Sequence, residues 1–167
     1  MFTGLIEEIG RVQSIRQGAK EYQLVIEATE ILKDVHRGDS IAVNGVCLTV
    51  TTYDQTSFVV DVMPETIKAT ALHTLSPGSP VNLERAMTLE RRFGGHLVSG
   101  HVDGTGTITR IQPERNAVYF EIRTKPELLK YMVPKGSVAV DGISLTVVDV
   151  TDQTFSVSII PHTLTAT

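Results

Sequence analysis

The feature that most restricts the fold of this 167-residue chain is that it repeats itself. Ser40-Ile41-Ala42-Val43-Asn44-Gly45-Val46-Cys47-Leu48-Thr49-Val50 matches Ser137-Val138-Ala139-Val140-Asp141-Gly142-Ile143-Ser144-Leu145-Thr146-Val147, with 7 identities in 11 positions and close substitutions at the other 4. The offset of 97 persists through Phe58 and Phe155, and through 64–70 against 161–167. Upstream, Glu30-Ile31-Leu32-Lys33 matches Glu127-Leu128-Leu129-Lys130, and Thr3-Gly4-Leu5-Ile6-Glu7 matches Ser99-Gly100-His101-Val102-Asp103 at offset 96. This period exceeds those of solenoid arrays and has the size of a small domain. It reads as a tandem duplication, 1–95 and 96–167, with the boundary near Gly94-Gly95.

Each copy reads as β. Val118, Phe120 and Ile122 alternate, as do Phe58, Val60 and Val62, and Phe155, Val157 and Ile159. Period-2 patterning marks half-buried strands. Asn44-Gly45 and Asp141-Gly142 sit between such runs and favour a tight hairpin turn, whose central residues take positive φ. The Ile9, Val12, Ile15 spacing looks helical, but Gly10 argues against a helix, so this segment and its Thr-rich counterpart after Gly104 are expected to be strands. Short helices are expected at 30–35, at 126–132 and after Pro64, where proline suits a helix start. The expected fold is all-β: two tandem six-stranded, Greek-key-like barrels with short helices. After Pro64 the first copy continues through Val81-Asn82-Leu83-Glu84-Arg85, which reads as its closing strand. The second copy stops at Thr167, so its barrel is expected to be incomplete and the gene product to run about 40 residues further, a closing strand plus one helix.

Composition narrows the function classes. A net charge of -4 offers no basic footprint for nucleic acid, no stretch approaches transmembrane-helix length, and Met1-Phe2-Thr3-Gly4 lacks the regions of a signal peptide. One cysteine, Cys47, excludes an intrachain disulfide, and a cytoplasmic protein fits best. P-loop and nucleophile-elbow motifs are absent, and the five histidines show no metal-ligand spacing, so no metal is expected.

What remains is the difference between the copies. Cys47 stands where Ser144 stands, Asn44 faces Asp141 and Leu5 faces His101, while Thr49 agrees with Thr146 and Ser40 with Ser137. Small polar residues just after a tight turn suit a ligand rich in hydroxyls and carbonyls near a barrel rim. Taken singly, each has a plainer role. A lone Cys is more often a small buried hydrophobe, strand Ser and Thr bond backbone, and Asp-Gly is turn chemistry. The residues alone thus describe twin ligand-binding barrels with unequal polar decoration.

The opening Met-Phe-Thr-Gly, the segment Asn44-Gly-Val-Cys-Leu-Thr-Val, the segment Gly94-Gly-His-Leu-Val-Ser-Gly-His-Val and Asp141-Gly-Ile-Ser-Leu-Thr-Val together resemble the riboflavin synthase family, over the whole chain and including the duplication. The resemblance implies two lumazine-binding barrels, a homotrimer held by a C-terminal helix (or a monomer for a chain that stops at Thr167), and no metal or redox cofactor. It implies dismutation of two 6,7-dimethyl-8-ribityllumazine molecules between the N-terminal barrel of one subunit and the C-terminal barrel of another. Its functional positions fall on Phe2, Cys47, His101, Lys135, Asp141, Ser144 and Thr146 for chemistry. For substrate binding they fall on Gly4, Ser40, Thr49, Glu65, Thr66, Ile67, Val102, Ile160, Pro161, His162 and Thr163. The implied roles are nucleophile supply or water activation by Cys47 or Ser144, and proton removal from a ring methyl by His101 with Thr146. Asp141 orients Ser144, Lys135 stabilises anionic charge, and Phe2 covers the bound rings. The main alternative is a non-catalytic, antenna-type lumazine- or flavin-binding protein of the same fold. A flavin-binding reductase barrel fits less well, because it lacks the duplication.

Overall fold

The computed structural model describes residues 1–18, 22–90 and 92–167. The first copy builds β1 (Glu8–Gln17), β2 (Tyr22–Glu27), β3 (Ser40–Val43), β4 (Val46–Tyr53), β5 (Ser57–Val62) and β6 (Pro80–Arg85). These close into a barrel in the order β1-β2-β5-β4-β3-β6, with β6 hydrogen-bonded to both β1 and β3. The second copy builds β7 (Thr107–Glu114), β8 (Ala117–Arg123), β9 (Ser137–Val140), β10 (Ile143–Val150) and β11 (Thr154–Ile159). Their order, β7-β8-β11-β10-β9, repeats the first five strands of the barrel. The second copy, expected to lack its closing strand, shows five strands; among the described residues no strand stands between β7 and β9 as β6 stands between β1 and β3.

Period-2 patterning dictates which way each strand faces. Leu24, Ile26, Ile41, Val43, Phe58 and Val60 are fully buried inside the barrel. Burying one such side chain contributes about 1.5–3 kcal/mol, so the barrel interior dominates the stability of this half. In the second copy Phe155, Val157 and Ile159 fill the matching places at 5%, 1% and 8% exposure, whereas every residue of β7 is exposed. The segment around Ile9, Val12 and Ile15 is a strand, with a bulge between Val12 and Ser14 that restarts the alternation. The same bulge recurs between Ile108 and Arg110, and a second pair recurs at Val50/Thr52 and Val147/Asp149. The duplication therefore extends to local strand irregularities, which re-aim strands and sharpen twist.

Helices play a small part. α1 (Pro64–Ala69) and α3 (Pro161–Ala166) occupy equivalent places and both begin on proline. α2 (Pro126–Leu129) is shorter than the expected 126–132. The helix expected at 30–35 is a single 3₁₀ turn, Ile31–Lys33. Glu8 caps its start from outside: the carboxylate accepts the N–H groups of Thr29, Glu30 and Ile31 at 2.6, 2.8 and 3.1 Å.

The two hairpin tips meet. Asn44 and Gly45 have φ of 47° and 80°, Asp141 and Gly142 have 47° and 82°, the double positive φ that the dipeptides predict. A Cβ on Gly45 would lie 2.8 Å from the backbone N of Gly142, and a Cβ on Gly142 would lie 2.8 Å from that of Gly45. The tips touch reciprocally, as a pseudo-two-fold axis between the copies requires. Asn82 on β6 ties them together: its N–H donates to Asn44 Oδ1 and its side-chain amide donates to the Asp141 carbonyl, at 2.7 and 3.0 Å. Gly78 gives a control, with φ of 93° and nothing within 4 Å of an added Cβ. Gly78→Ala should cost about 1–2 kcal/mol from backbone strain alone, and Gly142→Ala clearly more, in denaturant unfolding. Equal losses would show that the tips do not constrain each other.

Candidate active site

Strand alternation puts the expected polar residues on an outer wall of each copy. In β4, Val46, Leu48 and Val50 point inward and are buried, which leaves Cys47 and Thr49 on the outer face. In β10, Leu145 and Val147 are buried, which leaves Ser144 and Thr146 outside. The register completes each patch: Ser40 pairs with Thr49 and Ala42 with Cys47, while Ser137 pairs with Thr146 and Ala139 with Ser144. Small side chains at 42 and 139 leave room above each sheet for another chain segment to approach.

That segment comes from the other copy. The Cys47 N–H donates to the carbonyl of Gly100 at 2.8 Å, and the Ser144 N–H donates to the carbonyl of Gly4 at 2.7 Å. Gly4 and Gly100 are equivalent at offset 96, with φ of 76° and 80°. An added Cβ on Gly4 would fall 2.7 Å from Ser144 Cβ, and one on Gly100 would fall 2.6 Å from Cys47 Cβ, so neither position admits a side chain. Between them Phe2 and Val98 bridge each other, each N–H bonded to the other's carbonyl at 2.8 and 3.0 Å. Phe2 and Val98 are themselves equivalent at offset 96, so the pseudo-two-fold passes through this pair. Each copy thus lends its leading segment to its twin.

Phe2 is fully buried in a small core with Ala42 and Val98, against which Cys47 and Ala139 pack, at the junction between the copies. The Ser144 hydroxyl lies 2.7 Å from Nδ1 of His96, a residue that the sequence did not single out. Burial pushes the His96 pKa below its ordinary value, partly opposed by the negative charge of Glu84. A neutral imidazole protonated on Nε2 can accept the Ser144 proton at Nδ1. Among the described residues no side chain stands to Cys47 as His96 stands to Ser144.

The remaining candidates spread around these patches. His101 and Val102 follow Gly100 and line, with Ser137 and Asp141, a cleft of about 790 Å³. Cys47, Lys135, Ser144 and Thr146 are not on its wall. Lys135 is exposed in a left-handed turn before β9, its N–H bonded to Val147. Glu65, Thr66 and Ile67 lie on α1, with Ile67 packed on the barrel core. Ile160 precedes α3, which carries Pro161, His162 and Thr163. Among the described residues no group of three or more His, Cys, Asp or Glu could hold a metal ion, and no helix is long and apolar enough to cross a membrane.

Comparison with known proteins follows the same lines. The model of a family described as the lumazine binding domain matches residues 3–86 and 99–167. The chain is 56% identical over 167 residues to the riboflavin synthase of Bacillus subtilis (strain 168), covering 100% of this chain and 78% of the relative. It is 48% identical over 166 residues to that of Schizosaccharomyces pombe, covering 98% and 79%. In structure it is similar to LumP complexed with 6,7-dimethyl-8-(1'-D-ribityl) lumazine, with a TM-score of 0.89 and 22% identity, covering 100% of this chain and 90% of that one. The riboflavin complex of LumP gives a TM-score of 0.90 at 22% identity, covering 98% and 89%. At that identity the structural likeness establishes the fold.

Asp141 gives this geometry a pH signature. The residue keeps an exposed edge, yet desolvation at the hairpin junction pushes its carboxyl pKa up. An acid whose folded pKa is raised holds its proton more tightly in the native state, so it costs stability as pH rises through the folded pKa. Below the ordinary value of 3.8 the acid is protonated in both states and the cost vanishes. Asn is the residue of the equivalent turn and tolerates its φ. Asp141→Asn should therefore raise the thermal midpoint at pH 7, with the gain shrinking toward zero well below 3.8. Melting curves at the two pH values check this, and equal gains at both would trace the effect to turn preference alone.

Proposed function

The chain belongs to the lumazine binding domain family, and we infer that it is a riboflavin synthase. In that reaction one 6,7-dimethyl-8-ribityllumazine gives a four-carbon unit to another, and the products are riboflavin and 5-amino-6-ribitylamino-pyrimidinedione. Two identical substrates must play unequal parts. The observation that carries the reading is a symmetric pair of outer walls, Ser40-Cys47-Thr49 and Ser137-Ser144-Thr146, in which an imidazole is hydrogen-bonded to Ser144 and, among the described residues, none is hydrogen-bonded to Cys47.

The walls can bind two rings alike, with hydroxyls and exposed backbone groups fixing the heterocycle and ribityl chain. Chemistry then separates them. Ser144, with His96 Nδ1 at 2.7 Å, is the group that adds to the electrophilic ring or activates a water to do so. His101, beside the wall that carries Cys47 and Thr49, is the candidate base for the ring methyl of the other lumazine. Lys135 and Asp141 set the charge around the second wall. Holding two rings face to face raises their effective concentration enough to replace a random encounter. We place the working site between the first copy of one subunit and the second copy of another, in a cytoplasmic homotrimer, as the family resemblance implies.

Incubation with 6,7-dimethyl-8-ribityllumazine should produce riboflavin fluorescence. Ser144→Ala and His101→Gln should each lower kcat about 10²-fold while lumazine affinity changes far less, because their contacts strengthen in the transition state. Tight lumazine binding with no riboflavin from the parent protein would instead favour a non-catalytic lumazine carrier. Parent-like turnover in both variants would overturn the role assignment.

A further inference from the structure

Glu84 is 2% exposed, on β6, and belongs to none of the functional positions considered so far. Its Oε1 accepts both the N–H and the hydroxyl of Thr3 at 2.6 Å, and its Oε2 accepts the N–H of Gly4 at 2.9 Å. The same two residues carry the Ser144 site on their other side. The Thr3 carbonyl accepts the His96 N–H at 3.0 Å, and the Gly4 carbonyl accepts the Ser144 N–H at 2.7 Å. Because His96 Nδ1 and Ser144 Oγ also bond each other, the chain closes a hydrogen-bonded ring: Glu84, Thr3, His96, Ser144, Gly4 and back to Glu84. A buried carboxylate with three donors is costly to desolvate unless each acceptor site is used, and here the donors come from the segment that crosses to the second copy.

We propose that Glu84 is the positioning residue of the Ser144–His96 pair, holding Thr3–Gly4 as the rail on which both align and supplying the negative charge that favours proton transfer to His96. The inference rests on the synthase reading for its catalytic consequence, and its structural part rests on the hydrogen-bonded ring that joins Glu84 to His96 through Thr3. When Ser144 Oγ adds to a ring carbon, the Oγ–C bond forms and the Oγ–H bond breaks. The proton moves to His96 Nδ1 and a ring π pair moves onto a ring nitrogen; expulsion of Oγ reverses each change. The imidazolium formed midway is joined to Glu84 through Thr3, whose carbonyl accepts the His96 N–H and whose N–H and hydroxyl donate to Glu84, while β10 presents the neutral Ser144. A fixed charge in a dry setting needs no reorganisation to stabilise that cation.

Three measurements on the full chain test this. Glu84→Gln should lower kcat at least tenfold with KM for ribityllumazine within about twofold, whereas general loosening would raise KM as well. In a double-mutant cycle, Glu84→Gln should add little to the loss already caused by Ser144→Ala, since both act through one pair. Should Glu84→Gln fail to fold, Glu84→Asp, which keeps the charge on a shorter stem, should show a smaller fall in kcat with KM again unchanged. Independent of turnover, NMR titration of the His96 ring should show its midpoint falling in the variant relative to the parent, by about half a pH unit or more for Gln. An unmoved His96 titration overturns the proposal whether or not the protein makes riboflavin. So do independent, multiplying losses in the cycle. A shifted titration in a chain that makes no riboflavin would instead overturn the synthase reading and leave the Glu84–His96 coupling standing.

Discussion

Two backbone hydrogen bonds, Cys47 to Gly100 and Ser144 to Gly4, govern how the halves of this protein relate. Neither bond lies within a copy. Each delivers the leading strand of one copy to the outer wall of the other, and the Phe2–Val98 bridge marks the axis between them. A backbone–backbone bond contributes only about 0.5–1.5 kcal/mol net, but its geometric demand is strict. Side chains cannot exist at Gly4 or Gly100, a small residue is needed beneath each, and the residue two before Gly4 or Gly100 must be apolar and buried. Those requirements explain Ala42, Ala139, Phe2 and Val98 together. Outside this junction the copies touch mainly at the hairpin tips, which Asn82 fastens.

The same junction lets near-identical walls become chemically unequal. A duplication supplies two sites of the same shape, suited to two molecules of the same substrate. Inequality enters through what crosses the axis. The first copy receives Gly100 followed by His101; the second receives Gly4 followed by Leu5, with His96 alongside. Differences at Cys47 and Ser144 are then read in different surroundings, a thiol to which, among the described residues, no imidazole is hydrogen-bonded and a hydroxyl hydrogen-bonded to one. Had the leading segments folded back on their own copies, His101 would accompany Ser144 and Leu5 would accompany Cys47. The polarity of the two walls would be exchanged without a single change of sequence.

Most of the fold was legible because it is written in short-range terms. Strand faces follow from alternation, the hairpins from Asn44-Gly45 and Asp141-Gly142, and the common strand order from the 97-residue repeat. The closing strand at Val81 to Arg85 was readable from its apolar alternation. Three things were not. The 3₁₀ turn at Ile31 is capped by Glu8, far away in sequence, which accepts the N–H groups at its start. The exchange rests on backbone bonds, which carry no residue signature beyond a pair of aligned glycines that turns would equally explain. Glu84 and His96 were passed over because a lone Glu on a strand reads as solvent-facing, and an isolated His carries no spacing. Their significance is created by burial, which only the assembled junction supplies.

A junction of this kind changes how substitutions combine. Sites that sit on separate barrels would lose activity and stability independently, as distant positions generally do. Here Phe2, Gly4, Glu84 and Ser144 form one contiguous network, and Phe2 also packs on Cys47 in the other wall. A change that shifts the Phe2–Val98 bridge moves Gly4 and Gly100 together, because the two segments are paired to each other as well as to the walls. The loss must then appear at both walls at once, in opposite chemical senses, on the hydroxyl side through His96 and on the thiol side through Gly100. The junction therefore behaves as one element, bonded to both walls at once.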